Sequence, residues 1–174
     1  MKTKMLMVVM VWLFAACRVQ ADVIWDSGYH EINAGDAYVE IWLHNDATAE
    51  MFDGSVMQLG AVDSSSFNMH GGSMYRLLVR HDSVVNIYGG DLTYLVIYGD
   101  ENGLVNLHAY DVVYHPSDDS AGGWIDGKYI ANDQYFKIDR LPEMYFLEHV
   151  NLVPEPATLL LMGFGAFVLH RRRD

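Results

Sequence analysis

Cysteine is nearly absent: Cys17 is the only one among 174 residues, and it sits in an N-terminal apolar stretch. Nothing downstream of it can form a disulfide, act as a thiol nucleophile or give a metal a cysteine ligand. Basic side chains are scarce too. Between residues 22 and 153 only Arg76, Arg80, Lys128, Lys137 and Arg140 stand against 21 acidic residues, a net charge of −16. A surface of that sign repels nucleic acid and anionic lipid, which removes both as partners. Excess acid can hold divalent cations loosely, but more commonly it serves solubility. His44, His70, His81, His108 and His115 show none of the short spacings of a zinc site. Gly71-Gly72-Ser73 and Gly89-Gly90-Asp91 lack the third glycine and following aspartate of a calcium-binding β-roll. The sequence requires no metal and no cofactor.

What is present is a delivery segment at each end. Lys2 and Lys4 precede apolar residues 5–16, and Val19-Gln20-Ala21 before Asp22 satisfies the small-residue rule for signal peptidase. Residues 1–21 read as a signal peptide with a helical apolar stretch, cut between Ala21 and Asp22. Phe14-Ala15-Ala16-Cys17 supports an alternative, because it resembles a bacterial lipobox that would leave Cys17 lipidated. At the other end, Pro154-Glu155-Pro156 leads into thirteen apolar residues, 157–169, and then His170, Arg171, Arg172 and Arg173. That run falls short of the ~20 residues of a comfortable spanning helix, which points to transient membrane insertion. The arginines resist translocation and leave the body outside. The prolines keep the preceding chain extended and open to a protease.

This ending resembles the PEP-CTERM sorting signal of Gram-negative bacteria. The likeness rests on Val153-Pro154-Glu155-Pro156-Ala157-Thr158, Leu159-Leu160-Leu161, Gly163, Gly165 and the arginine cluster, about an eighth of the chain. It implies recognition by an exosortase-type membrane protease, removal of residues 154–174 and transfer of the mature protein to the cell surface, commonly in bacteria that make exopolysaccharide. It specifies an address and no activity. An ordinary, unprocessed C-terminal anchor is the alternative.

The body, residues 22–153, is one domain in length, and it repeats. Phe52, His70, Tyr88 and His108 hold one position in successive units, eighteen, eighteen and twenty residues apart. Around them Met51, Met69, Ile87 and Leu107 share a phase, as do Asn68, Asn86 and Asn106, and Leu59, Leu77 and Leu95. Period-two alternation puts the Met and Ile set inward and the Asn set outward. The spacing predicts an all-β fold, a short right-handed parallel β-helix (β-solenoid) of four or five ~18-residue coils over residues ~30–115. Glycine pairs mark its corners. Residues 38–43 alternate well but fit the eighteen-residue frame poorly. Beyond Pro116 no repeat is visible: residues 117–123 read as a loop, Trp124-Ile125-Asp126-Gly127-Lys128-Tyr129-Ile130 as a hairpin turning at Asp126-Gly127, and 135–138 and 146–152 as strands capping the coil end.

No catalytic residues are assigned. Asp63, Asp82 and Asp100 form the best acidic trio, approaching one edge in successive coils, yet corner carboxylates need no chemistry to explain them. Phe52, His70, Tyr88 and His108 suit ring stacking along a ladder, and they also form a candidate platform for sugars. Two functions follow. The chain is a non-enzymatic surface or matrix protein, or alternatively a carbohydrate-active module that binds, and less readily cleaves, exopolysaccharide.

Overall fold

An eighteen-residue unit carrying two apolar half-turns can bury neither half alone, so successive units must stack. In a computed structural model they do. The residues described, 18–98, 102–116, 123–140 and 149–154, contain fifteen strands in two sheets. One sheet is built on β4 (Asp36–Leu43), β6 (Ser55–Ala61), β8 (Ser73–Val79) and β10 (Asp91–Ile97), stacked in parallel. The other stacks β3 (Tyr29–Ile32), β5 (Thr48–Met51), β7 (Ser66–Met69), β9 (Val84–Ile87) and β11 (Leu104–Leu107). The chain alternates between them, so each coil contributes one strand to each sheet. The result is a β-solenoid of about five turns.

The register is the sequence period. Leu59 pairs with Leu77 and Leu77 with Leu95, while Met51, Met69, Ile87 and Leu107 follow one another across the second sheet. All seven side chains are buried, and with Phe67, Val79 and Ile97 they fill the interior. Burying each such side chain contributes roughly 1.5–3 kcal/mol. Residues 38–43 also fit the frame: Ile41 lies opposite Leu59 and Leu43 opposite Ala61. In β4, β6, β8 and β10 the alternation slips once, and Val39-Glu40, Met57-Gln58, Tyr75-Arg76 and Thr93-Tyr94 all turn away from the buried interior. A two-residue outward step at the same place in every coil leaves the strands paired one to one while breaking the period-two pattern. At the glycine corners Gly72 has φ +79°, and a Cβ there would lie 2.5 Å from Met51 Cε and 2.8 Å from the Asp53 carbonyl carbon.

The N-terminal coil is closed by β1 (Arg18–Gln20) and β2 (Val23–Trp25), both pairing with β4. Trp25 stacks on His30 at 4.3 Å and meets Tyr38 edge-on, so rings cover the first coil's open end. Ala21 and Asp22 lie exposed between β1 and β2. The helices expected in both delivery segments fall outside the described residues.

Two expectations for the C-terminal part are corrected. Residues 124–130 are not a hairpin: β13 (Trp124–Tyr129) is one continuous strand, with Asp126 paired on both sides and Gly127 paired with Phe136 of β14 opposite an irregularity in β12. Gly127 sits there because its neighbours crowd it, a Cβ standing 3.1 Å from the Tyr110 carbonyl oxygen and 3.1 Å from Phe136 Cζ. The turn comes instead at residues 130–134, joining β13 to β14 (Tyr135–Arg140). With β12 (Ala109–His115) these strands form an antiparallel meander whose third member pairs in parallel with β10. The final strand, β15 (Val150–Leu152), does more than cap. It pairs in parallel with β11, setting Asn151 beside Asn106, and so resumes the solenoid. Residues 146–148 and 117–122 lie outside the described residues.

The register gives a direct test. Ile87→Asp places an unpartnered carboxylate between Met69 and Leu107, which should destabilise the fold by at least about 3 kcal/mol. Asn86→Asp, one residue away, keeps an acceptor for Asn106 and loses one donated bond, at about 1 kcal/mol. Thermal melts of the two variants that coincide would refute the inward and outward assignment.

Candidate functional site

The outer face of the second sheet carries the aromatic column. Phe52, His70, Tyr88 and His108 directly follow β5, β7, β9 and β11, so each ring is delivered to the same corner one coil further on. Successive centroids are 5.0, 4.9 and 4.1 Å apart and the planes are inclined by 9°, 3° and 25°. The rings therefore turn their faces toward one another. Solvent meets mostly their edges, and the exception is Phe52, which heads the column and is 46% exposed.

Beside the rings runs an amide ladder. Asn86 Nδ2 donates to Asn68 Oδ1 at 2.7 Å, Asn106 to Asn86 at 2.9 Å and Asn151 to Asn106 at 3.3 Å. Asn68 in turn donates to Glu50 at 3.4 Å. Glu50 also stands 3.9 Å from His70 Nε2 and pairs in register with Glu31. Two stacked carboxylates need donors, and Tyr29 and Asn33 supply them to Glu31. Partial desolvation and then the two carboxylates push the Tyr29 hydroxyl up to about 12. Neither Glu50 nor Asn151 stood out in the sequence, the first because its coil is irregular and the second because 45 residues separate it from Asn106.

Next to the column, at the glycine corner, lies an open groove of about 340 Å³, with His70, Asp53, Ser73, Asp91, Asn132 and Gln134 on its walls. Asn132 and Gln134 come from the β13–β14 turn, held in shape by the Asn132 amide, which donates to Gln134 Oε1 and accepts from the Gln134 backbone N–H.

The acidic trio does not assemble into an open site. Asp63 occupies the opposite corner with φ +59°, in a column of left-handed positions with Asn45 and His81. Its carboxylate accepts from the Asn45 backbone N–H at 3.2 Å and lies 3.3 Å from His44 Nδ1 and 3.2 Å from His81 Nδ1. The Asn45 hydrogen bond, with the two histidines, holds the Asp63 carboxyl below the usual range. Asp82 accepts from Asn102 at 2.9 Å. Asp100 lies outside the described residues. A further cluster escaped sequence reading because its members lie on three strands of the meander. Asp126 Oδ2 accepts from the Tyr135 hydroxyl at 3.0 Å and lies 3.0 Å from His115 Nε2, while His115 stacks on Trp124.

The delivery segment joins the body without a linker. Val153 N–H donates to Leu107 C=O at 3.0 Å, the last ladder bond before the exposed Pro154. Glu155, Pro156, Arg171, Arg172 and Arg173 lie outside the described residues.

Burial lowers the pKa of His108 from its ordinary value of 6.5. A histidine that resists protonation in the folded state stabilises fully above pH 6.5 and loses that contribution as pH falls from 6.5 to the folded midpoint. His108 should titrate below 6.5 by NMR, and His108→Phe should lose less thermal stability than the parent between pH 7 and pH 5. A midpoint at or above 6.5 would contradict the desolvated placement.

Compared with known proteins, residues 152–173 match the PEP-CTERM protein-sorting motif, and the match begins inside β15 at Leu152. The motif implies an exported, exosortase-processed protein made as a membrane-anchored sorting precursor. No curated protein and no solved structure matches the chain.

Proposed function

We propose that the chain is a non-enzymatic structural protein of the cell surface or extracellular matrix, a stiff β-solenoid handed outward by its C-terminal sorting segment. The observation that carries this reading is the sorting motif joined directly to a body whose conspicuous polar groups are engaged with one another. Asp63 and Asp82 bind corner neighbours, the asparagines bind each other and the rings stack on rings. Signal peptidase, acting between Ala21 and Asp22, and an exosortase-type protease, acting near Pro154-Glu155-Pro156, are its processing partners. Mass spectrometry of the chain in cells and medium tests the route. The expected result is a full-length membrane form and an extracellular form that begins at Asp22 and lacks Arg171, Arg172 and Arg173. Secreted chains that retain the arginines would overturn the processing, and a chain held whole in the membrane would establish a simple anchor.

One observation favours a second reading, the binding of exopolysaccharide. The free face of Phe52 stands at the end of the ring column beside a groove of amides, a hydroxyl and carboxylates, a set that suits sugar rings and their hydroxyls. Under this reading Phe52→Ala weakens retention on a neutral polysaccharide by about 1–2 kcal/mol, while Tyr88→Ala, whose faces are covered by His70 and His108, changes it less. Retention that is absent from the parent, or unchanged in Phe52→Ala with its fold intact by circular dichroism, leaves the scaffold reading alone.

A further inference from the structure

The repeated outward pair of residues gives the first sheet an outer face unlike the rest of the molecule. Its middle row is apolar and exposed, with Val39 40%, Met57 59% and Tyr75 50% accessible. Grooves of about 450 and 200 Å³ run on either side of the Met57–Tyr75 ridge. A second register row is Ile24, Trp42, Gly60, Leu78 and Val96, of which Ile24 is exposed and Trp42 half-buried, while Gly60, Leu78 and Val96 are buried within the chain. The Trp42 indole lies over Gly60, where a Cβ would stand 2.3 Å from its ring. Charge is nearly excluded from this face. On β4, β6, β8 and β10 the only charged residues besides Asp36 and Asp91, at the first positions, are Glu40 and Arg76.

Those two are placed symmetrically. Glu40, Gln58 and Arg76 occupy one register position in three successive coils, with Gln58 donating to Glu40 at 2.5 Å and Arg76 donating to Gln58 at 3.3 Å. Arg76 Nε is buried and has no hydrogen-bond partner. We infer that this face binds a second copy of the chain about a two-fold axis lying in the interface and running parallel to β6. Such an axis reverses the coil order and preserves position along the strand. It therefore sets Glu40 of each copy opposite Arg76 of the other, Gln58 opposite Gln58, Met57 opposite Met57 and Val39 opposite Tyr75. The same patch serves both copies, as a two-fold interface requires. A row running from negative through neutral to positive is its own complement only when inverted, so charge selects the antiparallel arrangement and rejects the parallel one, which would oppose like charges. Four coils by seven residues measure about 19 Å by about 23 Å, roughly 900 Å² over both copies, which is below the range of stable interfaces and in that of weak, transient ones. The dimer is therefore concentration-dependent.

The test uses the full chain in detergent on a Cys17→Ser background. Packed sheets stand about 10 Å apart, beyond the reach of a disulfide, so a bismaleimide spanning about 10 Å is the probe. Met57→Cys, on the axis, should give a covalent homodimer, and Tyr135→Cys, equally exposed on the meander, should not. Glu40→Arg alone and Arg76→Glu alone should each reduce crosslinking at Met57→Cys by about tenfold, and the two together should restore it. Restoration excludes misfolding as the cause of the losses. No crosslink at Met57→Cys, equal crosslinking at Tyr135→Cys, or a double exchange that stays as low as the singles would each overturn the interface.

Discussion

Parallel stacking in register is the constraint on which everything else depends. When coil sits on coil at an eighteen-residue offset, every side chain lies above a side chain of the same position, and the chemistry of one residue is multiplied along the axis. Apolar positions profit: Met51, Met69, Ile87 and Leu107 become one dry column. Amides profit as well, because an asparagine is donor and acceptor at once and can satisfy a neighbour on each side, as Asn86 does between Asn68 and Asn106. Carboxylates are penalised, since like charges placed directly opposite repel. In a segment with a net charge of −16 the acids must therefore go elsewhere. They collect at corners, where Asp63 finds a backbone donor and two imidazoles. The stacked pair Glu31 and Glu50 is tolerated at the first coils, where Tyr29, Asn33 and Asn68 donate to it.

A stack of coils must also end, and open strand edges invite aggregation. The two ends are managed differently. At the N-terminal side, short strand β2 covers part of the edge of β4, β1 covers the rest only before cleavage at Ala21–Asp22, and Trp25, His30 and Tyr38 plug the mouth of the core. At the C-terminal side the chain leaves the coil path after β11 and runs out as β12. It then folds back antiparallel through β13, so that β14 arrives beside β10 in the direction a coil would have taken. Tyr129, Phe136 and Ile138 from this meander join the core. Only then does β15 close the second sheet, which makes the last strand before the sorting motif dependent on everything folded before it.

The solenoid was legible in the sequence wherever stacking had written one coil's chemistry into the next. The columns of Leu59, Leu77 and Leu95, of Met69 and Ile87, and of the outer asparagines and rings were read directly because register and period are one quantity. What the period does not encode was not legible. At Met57-Gln58 and its equivalents two adjacent residues turn outward, a pattern that alternation assigns to no strand. Asp126-Gly127 carries the strongest short hairpin signal in the chain, yet Gly127 serves close packing under Tyr110 and Phe136, so tertiary contact overrides turn chemistry. Asn151 belongs to the amide ladder, but a meander inserted between it and Asn106 erases the spacing that would have revealed it. At the candidate site the order of the rings was readable, whereas the direction of their faces depends on side-chain geometry that repeat spacing does not contain.

Column chemistry also divides the molecule into faces of different use. The second sheet's outer face is saturated: its rings, amides and glutamates complete one another along the axis, leaving Phe52 and the adjacent groove as its open end. The first sheet's outer face is the reverse, because its exposed row is apolar at Val39 and Met57 and its two internal charges, Glu40 and Arg76, differ in sign. For a body this acidic, approach of any similar surface is opposed by repulsion except where acids are missing. The acids are driven to the corners by the cost of stacking them, so the same constraint that builds the core also clears charge from a flat sheet. A contact surface on β4, β6 and β8 is thus a by-product of the register, and a delivery segment that gathers copies at one membrane raises the local concentration at which such a surface acts.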